Sequence, residues 1–385
     1  MNILIKHFIV TFKLINYNEM IKISLNEELE KLLLGKGAIK VGFTTLETLA
    51  GGPPGSDITY VLPEAQSAIS YALPLNRDLI RPYLKKEPNS RVNLENDRFN
   101  VTMKAWDISK EVAELLRKKG FKAFAVMSNF KYRKELKYWK YKLTPDISHR
   151  YLALRGGVGS FGWSGNLGLK GYGPLFVLGG IVTSARLEPT DPIPESESFC
   201  NKCKVCVKVC AFRMFDEEEE VTIKIGGQEY THAKRIDKGR CYMVCGGYSG
   251  LDITGKWSTW SAGRYEQPKT NHEAIVSLNR AQKNWFKLPK REDAKFYDYK
   301  DIEELQNVPF IGNKTVKLGN YLLFTCGHCQ IVCWGDPKET NENYRLLKNS
   351  GCVVQKEDGS IVVLPPVEAK KAFDNLDPEH KKLYH

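Results

Sequence analysis

Four cysteines within one short loop constrain this chain more than any other feature. Cys200, Cys203, Cys206 and Cys210 follow a C-x2-C-x2-C-x3-C spacing. Two-residue gaps put three thiolates on one tight turn, and a backbone that tight must wrap whatever the sulfurs hold. This is the ferredoxin spacing, in which the first three cysteines bind one [4Fe–4S] cluster and the fourth ligates another. A second set, Cys326, Cys329 and Cys333, lies far downstream. Crossed pairing assigns Cys200, Cys203, Cys206 and Cys333 to a first cluster. Cys210, Cys326 and Cys329 then belong to a second, which needs one more thiolate from Cys241 or Cys245. Paired zinc sites use similar C-x2-C units, but a compact four-cysteine run suits a cubane better than two tetrahedra. Cys352 is left over and reads as a small buried hydrophobe.

Clustered cysteines in a chain with no secretory signal read as metal ligands in a reducing compartment, not as disulfides. The expected location is cytoplasmic. Lys6 and Lys13 interrupt the apolar start, no twin arginine is present, and no run reaches the ~20 apolar residues of a membrane span. Met20 is an alternative start, because Ser24 and Glu27 form a capping box just after it. At 385 residues, 42% hydrophobic and 26% charged, the composition is that of a soluble globular chain of two or three domains, or of one large domain carrying an insertion. The net charge of +12 is scattered and forms no tight basic block.

Patterning indicates an α+β chain. It predicts a helix from Ser24 to about Gly35, strands at Ile39–Thr44 and Ala68–Leu73, and a helix over Thr102–Lys119 capped by Gly120. Strands at Phe121–Met127 and Phe176–Thr183 flank a glycine-dense stretch from Arg155 to Pro174. A proline- and acid-rich linker follows at 188–198. The expected division is an α/β domain over 20–187, that linker, a cluster domain over 199–345 and a C-terminal tail over 346–385. Residues from about 246 to 317 are rich in aromatics and read as an insertion with its own satellite core. Glu217 to Glu220 reads as a solvated turn.

Several segments together resemble a known group. They are Gly120-Phe-Lys-Ala-Phe-Ala-Val-Met-Ser-Asn129, the loop from Arg155 through Gly165-Asn-Leu, Tyr172-Gly-Pro, Val182 to Ile193, Arg240-Cys241, and Cys329-Gln-Ile-Val-Cys333-Trp. From about Gly120 to Asp336 the chain resembles the cobalamin-dependent reductive dehalogenases and their relatives, the epoxyqueuosine reductases, the former more closely. The resemblance implies a nitroreductase-like α/β corrinoid-binding layer followed by a ferredoxin-like domain with two [4Fe–4S] clusters and an insertion. It implies base-off cobalamin against Gly157, Gly159, Gly162, Gly165, Asn166, Leu167, Tyr172 and Gly173, and it makes Cys241 the missing ligand of the second cluster. Asn129 corresponds to a substrate-pocket asparagine. The reductases' aspartate counts back to Leu143, with Asp146 three residues off, and no tyrosine near Phe99 to Met103 matches that of the dehalogenases. Tyr141 and Asp146 are therefore the candidate proton donors, with Tyr132, Tyr138 and His149 as substitutes.

The leading functional expectation is a cobalamin-dependent iron–sulfur oxidoreductase that reductively cleaves a carbon–heteroatom bond in a small molecule, supplied by a ferredoxin or flavodoxin. The alternatives are an epoxyqueuosine reductase-like enzyme acting on tRNA and a non-catalytic low-potential electron carrier or corrinoid reductant. The chain runs only 52 residues past Cys333, which argues against a tRNA-binding tail and makes tRNA an unexpected partner. Gly157 to Gly162 also matches G-x-G-x-x-G, but no acid follows about 20 residues on, as a dinucleotide site requires. His328 sits between two ligands and reads as a solvent-facing loop residue or as a group tuning a cluster.

Overall fold

Ser24 opens the first helix, α1 (Leu25–Gly35), by accepting a hydrogen bond from the Glu27 amide while the Glu27 carboxylate accepts from the Ser24 amide. Two donors left unpaired by the first turn are thereby satisfied. The computed structural model describes residues 24–127, 131–137, 139, 144–236, 238–285, 287–293, 308–309, 315–316 and 325–385, and the fold is mixed α/β.

After α1 come β1 (Lys40–Thr45), β2 (Ser67–Pro74), α2 (Ser90–Lys118), β3 (Ala123–Val126) and α3 (His149–Arg155). A small pair, β4 (Ser160–Phe161) and β5 (Leu167–Gly168), precedes β6 (Phe176–Thr183). The main sheet runs β1-β2-β6-β3 and is antiparallel throughout, with Ala68 and Phe124 flanking Val182. Both its faces are covered, so β2 is buried at every position before Pro74. Ile69, Tyr71 and Leu73 pack with Leu29, Leu33, Ile108 and Val112 of α1 and α2. Ala68 and Ala72 point the other way, toward Leu152 and Ala153 of α3. The Tyr71 hydroxyl ties the sheet to α2 by donating to the Ala105 carbonyl at 2.5 Å.

Helix α2 starts well before the expected Thr102. Its first turns bury Leu94 and a paired Arg91 and Glu95, 2.9 Å apart. An apolar count overlooks a buried ion pair. The linker is stitched to β1: the Thr190 amide donates to the Phe43 carbonyl, the Phe43 amide donates to the Thr190 hydroxyl oxygen, and that hydroxyl donates to the Gly156 carbonyl.

The acidic run is not a turn. It lies on the exposed part of β7 (Phe215–Ile225), which pairs with β8 (Gln228–Arg235), and the turn is made by Gly226 and Gly227, both at positive φ. A two-stranded ribbon keeps one face in water and so accepts polar residues there. Its tip reaches the α/β layer, where Ile225 is buried and the Gly226 amide donates to Ala50.

Trp257, Trp260 and Tyr265 join one core with Tyr83, Val205, Phe212, Ile331 and Val353. These three aromatics of the insertion thus belong to the core beside the cysteines, not to a satellite; Phe286, Phe296, Tyr297 and Tyr299 lie outside the described residues. Short strands β9 (Val308–Pro309) and β10 (Thr315–Val316) pair with each other. The C-terminal segment is folded, with a hairpin of β11 (Cys352–Gln355) and β12 (Ile361–Leu364) and two short helices. Among the described residues no helix is long and apolar enough to cross a membrane.

Candidate functional site

The Cys200–Cys210 loop bends through two left-handed residues, Lys202 and Lys204, which turn the chain between successive cysteines. A cavity there is lined by Cys200, Cys203, Cys206, Cys329 and Cys333. Cys333 comes from the distant second set, delivered by the turn after helix His328–Ile331. The Cys206 thiol is pushed up by burial and by the Cys329, Cys200, Cys333 and Cys203 sulfurs around it. Backbone amides already point at sulfur, with Trp163 N and Lys202 N donating to Cys200 Sγ at 3.3 and 3.4 Å. Such donors favour negative charge on a thiolate.

Cys210, Cys241, Cys245, Cys326 and Cys329 form the second group. Burial first, then Cys329 and Cys241, pushes the Cys210 thiol up to about 12. Met214 N donates to Cys210 Sγ at 3.3 Å, and Asn166 Nδ2 donates to Cys329 Sγ at 3.5 Å. Helix α4 (Lys238–Cys245) carries Cys241 and Cys245, whose sulfurs are 3.3 Å apart. All ten cysteines are free thiols, and among the described residues no three His, Cys, Asp or Glu side chains close on a position for a single metal ion. The first group lines a cavity, and the thiols of the second lie close to one another. Cys352 sits apart from both groups, buried beside Val354 and Ala369.

The glycine loop is packed closely by other segments of the chain. A Cβ on Gly157 would meet the Asp191 carbonyl, on Gly159 the Leu167 side chain, on Gly162 the Phe199 ring, on Gly165 the His232 ring, and on Gly173 the backbone at Cys333 and Gly335. Leu167 is buried in the core, Asn166 is turned toward Cys329, and Tyr172 is exposed. The β7–β8 ribbon lies on this loop, with Ala233 N bonded to Trp163 O and His232 edge-on to Phe161. Gly157, Gly159, Gly162, Gly165 and Gly173 are glycine because other segments of the chain approach their Cα atoms closely.

Of the candidate proton donors, Tyr141, Tyr138 and the pocket residue Asn129 lie outside the described residues. Asp146 is buried just before α3, and burial pushes its carboxyl up, with the Ile147 amide and Lys131 opposing. Tyr132 is raised by burial and by Asp146. Tyr242 on α4 is raised by burial and by Tyr132, Tyr248 and Cys241. Tyr132 thus feels the charge of Asp146, and Tyr242 that of Tyr132 and Cys241, a grouping that the sequence hid because Tyr242 carries no motif. His149 is buried and packs against Gly180 of β6, with burial holding it near 4. His328 is also buried, edge-on to Tyr83 and in contact with Trp257, so it does not face solvent.

No protein-family profile matches the chain. Over 175 residues it is 28% identical to an epoxyqueuosine reductase of Atelocyanobacterium thalassa (isolate ALOHA), covering 46% of this chain and 51% of that one. The chain is similar to the epoxyqueuosine reductases. It spans about half the length of that curated relative. Solved structures that it resembles include an epoxyqueuosine reductase with an epoxyqueuosine-modified tRNA stem loop, at 20% identity and a TM-score of 0.31 over 49% of this chain and 52% of that one. They also include a reductive dehalogenase, at 16% identity and a TM-score of 0.42 over 65% of this chain and 33% of that one. One of the two families that the sequence segments resemble, the epoxyqueuosine reductases, is thus also returned by the sequence comparison.

Proposed function

We propose that this chain is a low-potential iron–sulfur reductase of the epoxyqueuosine reductase kind, holding two [4Fe–4S] clusters and cleaving a carbon–oxygen bond in a modified nucleoside. The observation that carries the reading is the crossing of the two cysteine sets, with Cys333 among the first three thiols and Cys210 beside Cys329. In it Cys200, Cys203, Cys206 and Cys333 hold one cluster, and Cys210, Cys326, Cys329 and a thiol of α4 hold the other. The clusters, when bound, supply single electrons at low potential.

The chain's own residues have two tasks. The amides of Trp163, Lys202 and Met214 hold thiolate charge. Reductive removal of an epoxide oxygen consumes two electrons and two protons and releases water, so the site needs proton donors as well as electrons. Asp146, neutral for longer than an exposed carboxyl because it is buried, is the assigned donor, with Tyr132, which feels its charge, and Tyr242, beside Cys241 on α4, as further acids. The electron source is a ferredoxin- or flavodoxin-like carrier.

The sequence similarity to an epoxyqueuosine reductase supports a nucleoside substrate over the small molecule that the sequence first suggests, and the expectation against tRNA has no support. No step is assigned to a corrinoid. Anaerobic purification followed by iron and cobalt analysis, EPR and tRNA binding at graded salt tests the reading. The expected result is ~8 irons per chain and salt-sensitive tRNA binding. Iron content near zero, or eight irons without affinity for RNA, would refute the cluster or the substrate assignment respectively.

A further inference from the structure

Five thiols make up the second group, whereas a cubane takes one thiolate on each of its four irons. Cys241 and Cys245 sit one turn apart on α4 with their sulfurs 3.3 Å apart. A disulfide would need about 2.05 Å. Two thiolates on one tetrahedral ion with ~2.3 Å bonds stand ~3.8 Å apart, and thiolates on different irons stand farther apart still. The pair therefore occupies one ligand position, not two. Cys245 keeps exposed surface, and its thiol also meets the Cys326 thiol.

We propose that Cys241 and Cys245 serve one iron of the second cluster between them, one as its thiolate ligand and the other as a thiol donating a hydrogen bond to that sulfur. The inference rests on the two-cluster reading. Its chemistry follows from charge. A hydrogen bond to a ligand sulfur stabilises the more negative, reduced cluster and raises its potential. Losing either cysteine leaves the other free to bind iron but removes the donor. Cys326 comes from the opposite segment and has no such substitute.

The test uses the full chain, purified anaerobically, with the variants Cys241→Ala, Cys245→Ala, the double variant and Cys326→Ala. Iron content and EPR-monitored redox titration are read for each. The expected result is ~8 irons in each of the two single variants, with the second cluster's midpoint potential below that of the wild type, and ~4 irons in the double variant and in Cys326→Ala. The first cluster's EPR signal in the double variant reports that the fold survives. If Cys241→Ala alone falls to ~4 irons while Cys245→Ala keeps both its iron and its potential, Cys241 is a dedicated ligand and the proposal is wrong. The converse result overturns it equally. A wild-type chain without iron would instead sink the two-cluster reading, so the two failures are distinguishable.

Discussion

Gly173 and Gly335 lie back to back. A Cβ on Gly335 would stand 2.5 Å from the Gly173 nitrogen, and one on Gly173 would stand 2.7 Å from the Gly335 nitrogen and 2.8 Å from the Cys333 carbonyl oxygen. Both residues have positive φ, +62° and +73°. The glycine loop of the α/β layer thus clamps the turn that presents Cys333, and the clamp depends on two missing side chains.

Gly335→Ala adds a methyl group against backbone that cannot move aside and forces a left-handed alanine. Strain and overpacking together predict a loss of ~2–4 kcal/mol. On the two-cluster reading, iron is expected to fall in the first cluster before the second, because Cys333 is displaced while Cys329 stays on its short helix and Cys326 just ahead of it. Denaturant midpoints and iron analysis check both parts. A variant with wild-type midpoint and iron content would show that the turn tolerates the methyl group and that no clamp exists.

How far the sequence foretold this site depended on what each residue signals by itself. The cysteine spacing exposed two thiol groups because ligand gaps are short and local. The Ser24–Glu27 box marked α1 for the same reason. Cys245 was harder to place, since only the helical turn of α4 and the return of the 326–333 segment bring it beside Cys241 and Cys326. The glycines were legible as close approaches, but not what approaches them, because Phe199, His232 and Asp191 arrive from distant segments. Glu217 to Glu220 looked like a turn because a solvent-facing ribbon carries no apolar alternation on its wet side.

Arg91 is buried where α2 meets the insertion, pairing with Glu95 at 2.9 Å and Asp293 at 2.5 Å. Burial alone would raise the Asp293 carboxyl, but Arg291 and Arg91 outweigh it and hold it at about 2. Arg91→Met leaves Glu95 buried without its arginine, for an expected cost of ~3–5 kcal/mol near neutral pH. The sign with pH follows from the lowered carboxyl. Its stabilisation is present above the unfolded value of ~3.9 and is lost as pH falls toward 2. The deficit of the variant should therefore narrow between pH 7 and pH 3 in urea titrations, and a constant deficit would contradict this account.

Lys86 is buried in a left-handed turn, with its ammonium donating to Ser350 Oγ and the Gly351 carbonyl. Burial lowers it to about 7, with Cys352 opposing. Between about 7 and the ordinary value of ~10.4 the unfolded chain holds a proton that the folded chain has released, so stability rises with pH across that window. Lys86→Met removes the titration. The variant should be more stable than the wild type near pH 7, with the difference shrinking toward pH 10. Thermal melts at several pH values measure this, and parallel curves for the two proteins would refute the burial argument.

Asp146 offers the sharpest separation of chemistry from structure. Its Oδ1 accepts from the Ile147 amide at 2.7 Å. The side-chain amide oxygen introduced by Asp146→Asn would preserve that contact, while the proton-donating acid would be lost. Burial raises the carboxyl, so the folded chain holds this proton to higher pH than the unfolded chain does. The resulting stability is complete below the unfolded value and is lost as pH rises through the folded one. Asp146→Asn removes that slope and should leave iron content unchanged. If Asp146 delivers the proton, turnover falls by ~10²–10⁴-fold, and the wild-type decline in rate at rising pH is absent from the residual activity. Should the variant instead keep its rate and the same pH profile, Asp146 is a buried capping carboxyl, and the proton comes from Tyr132 or Tyr242.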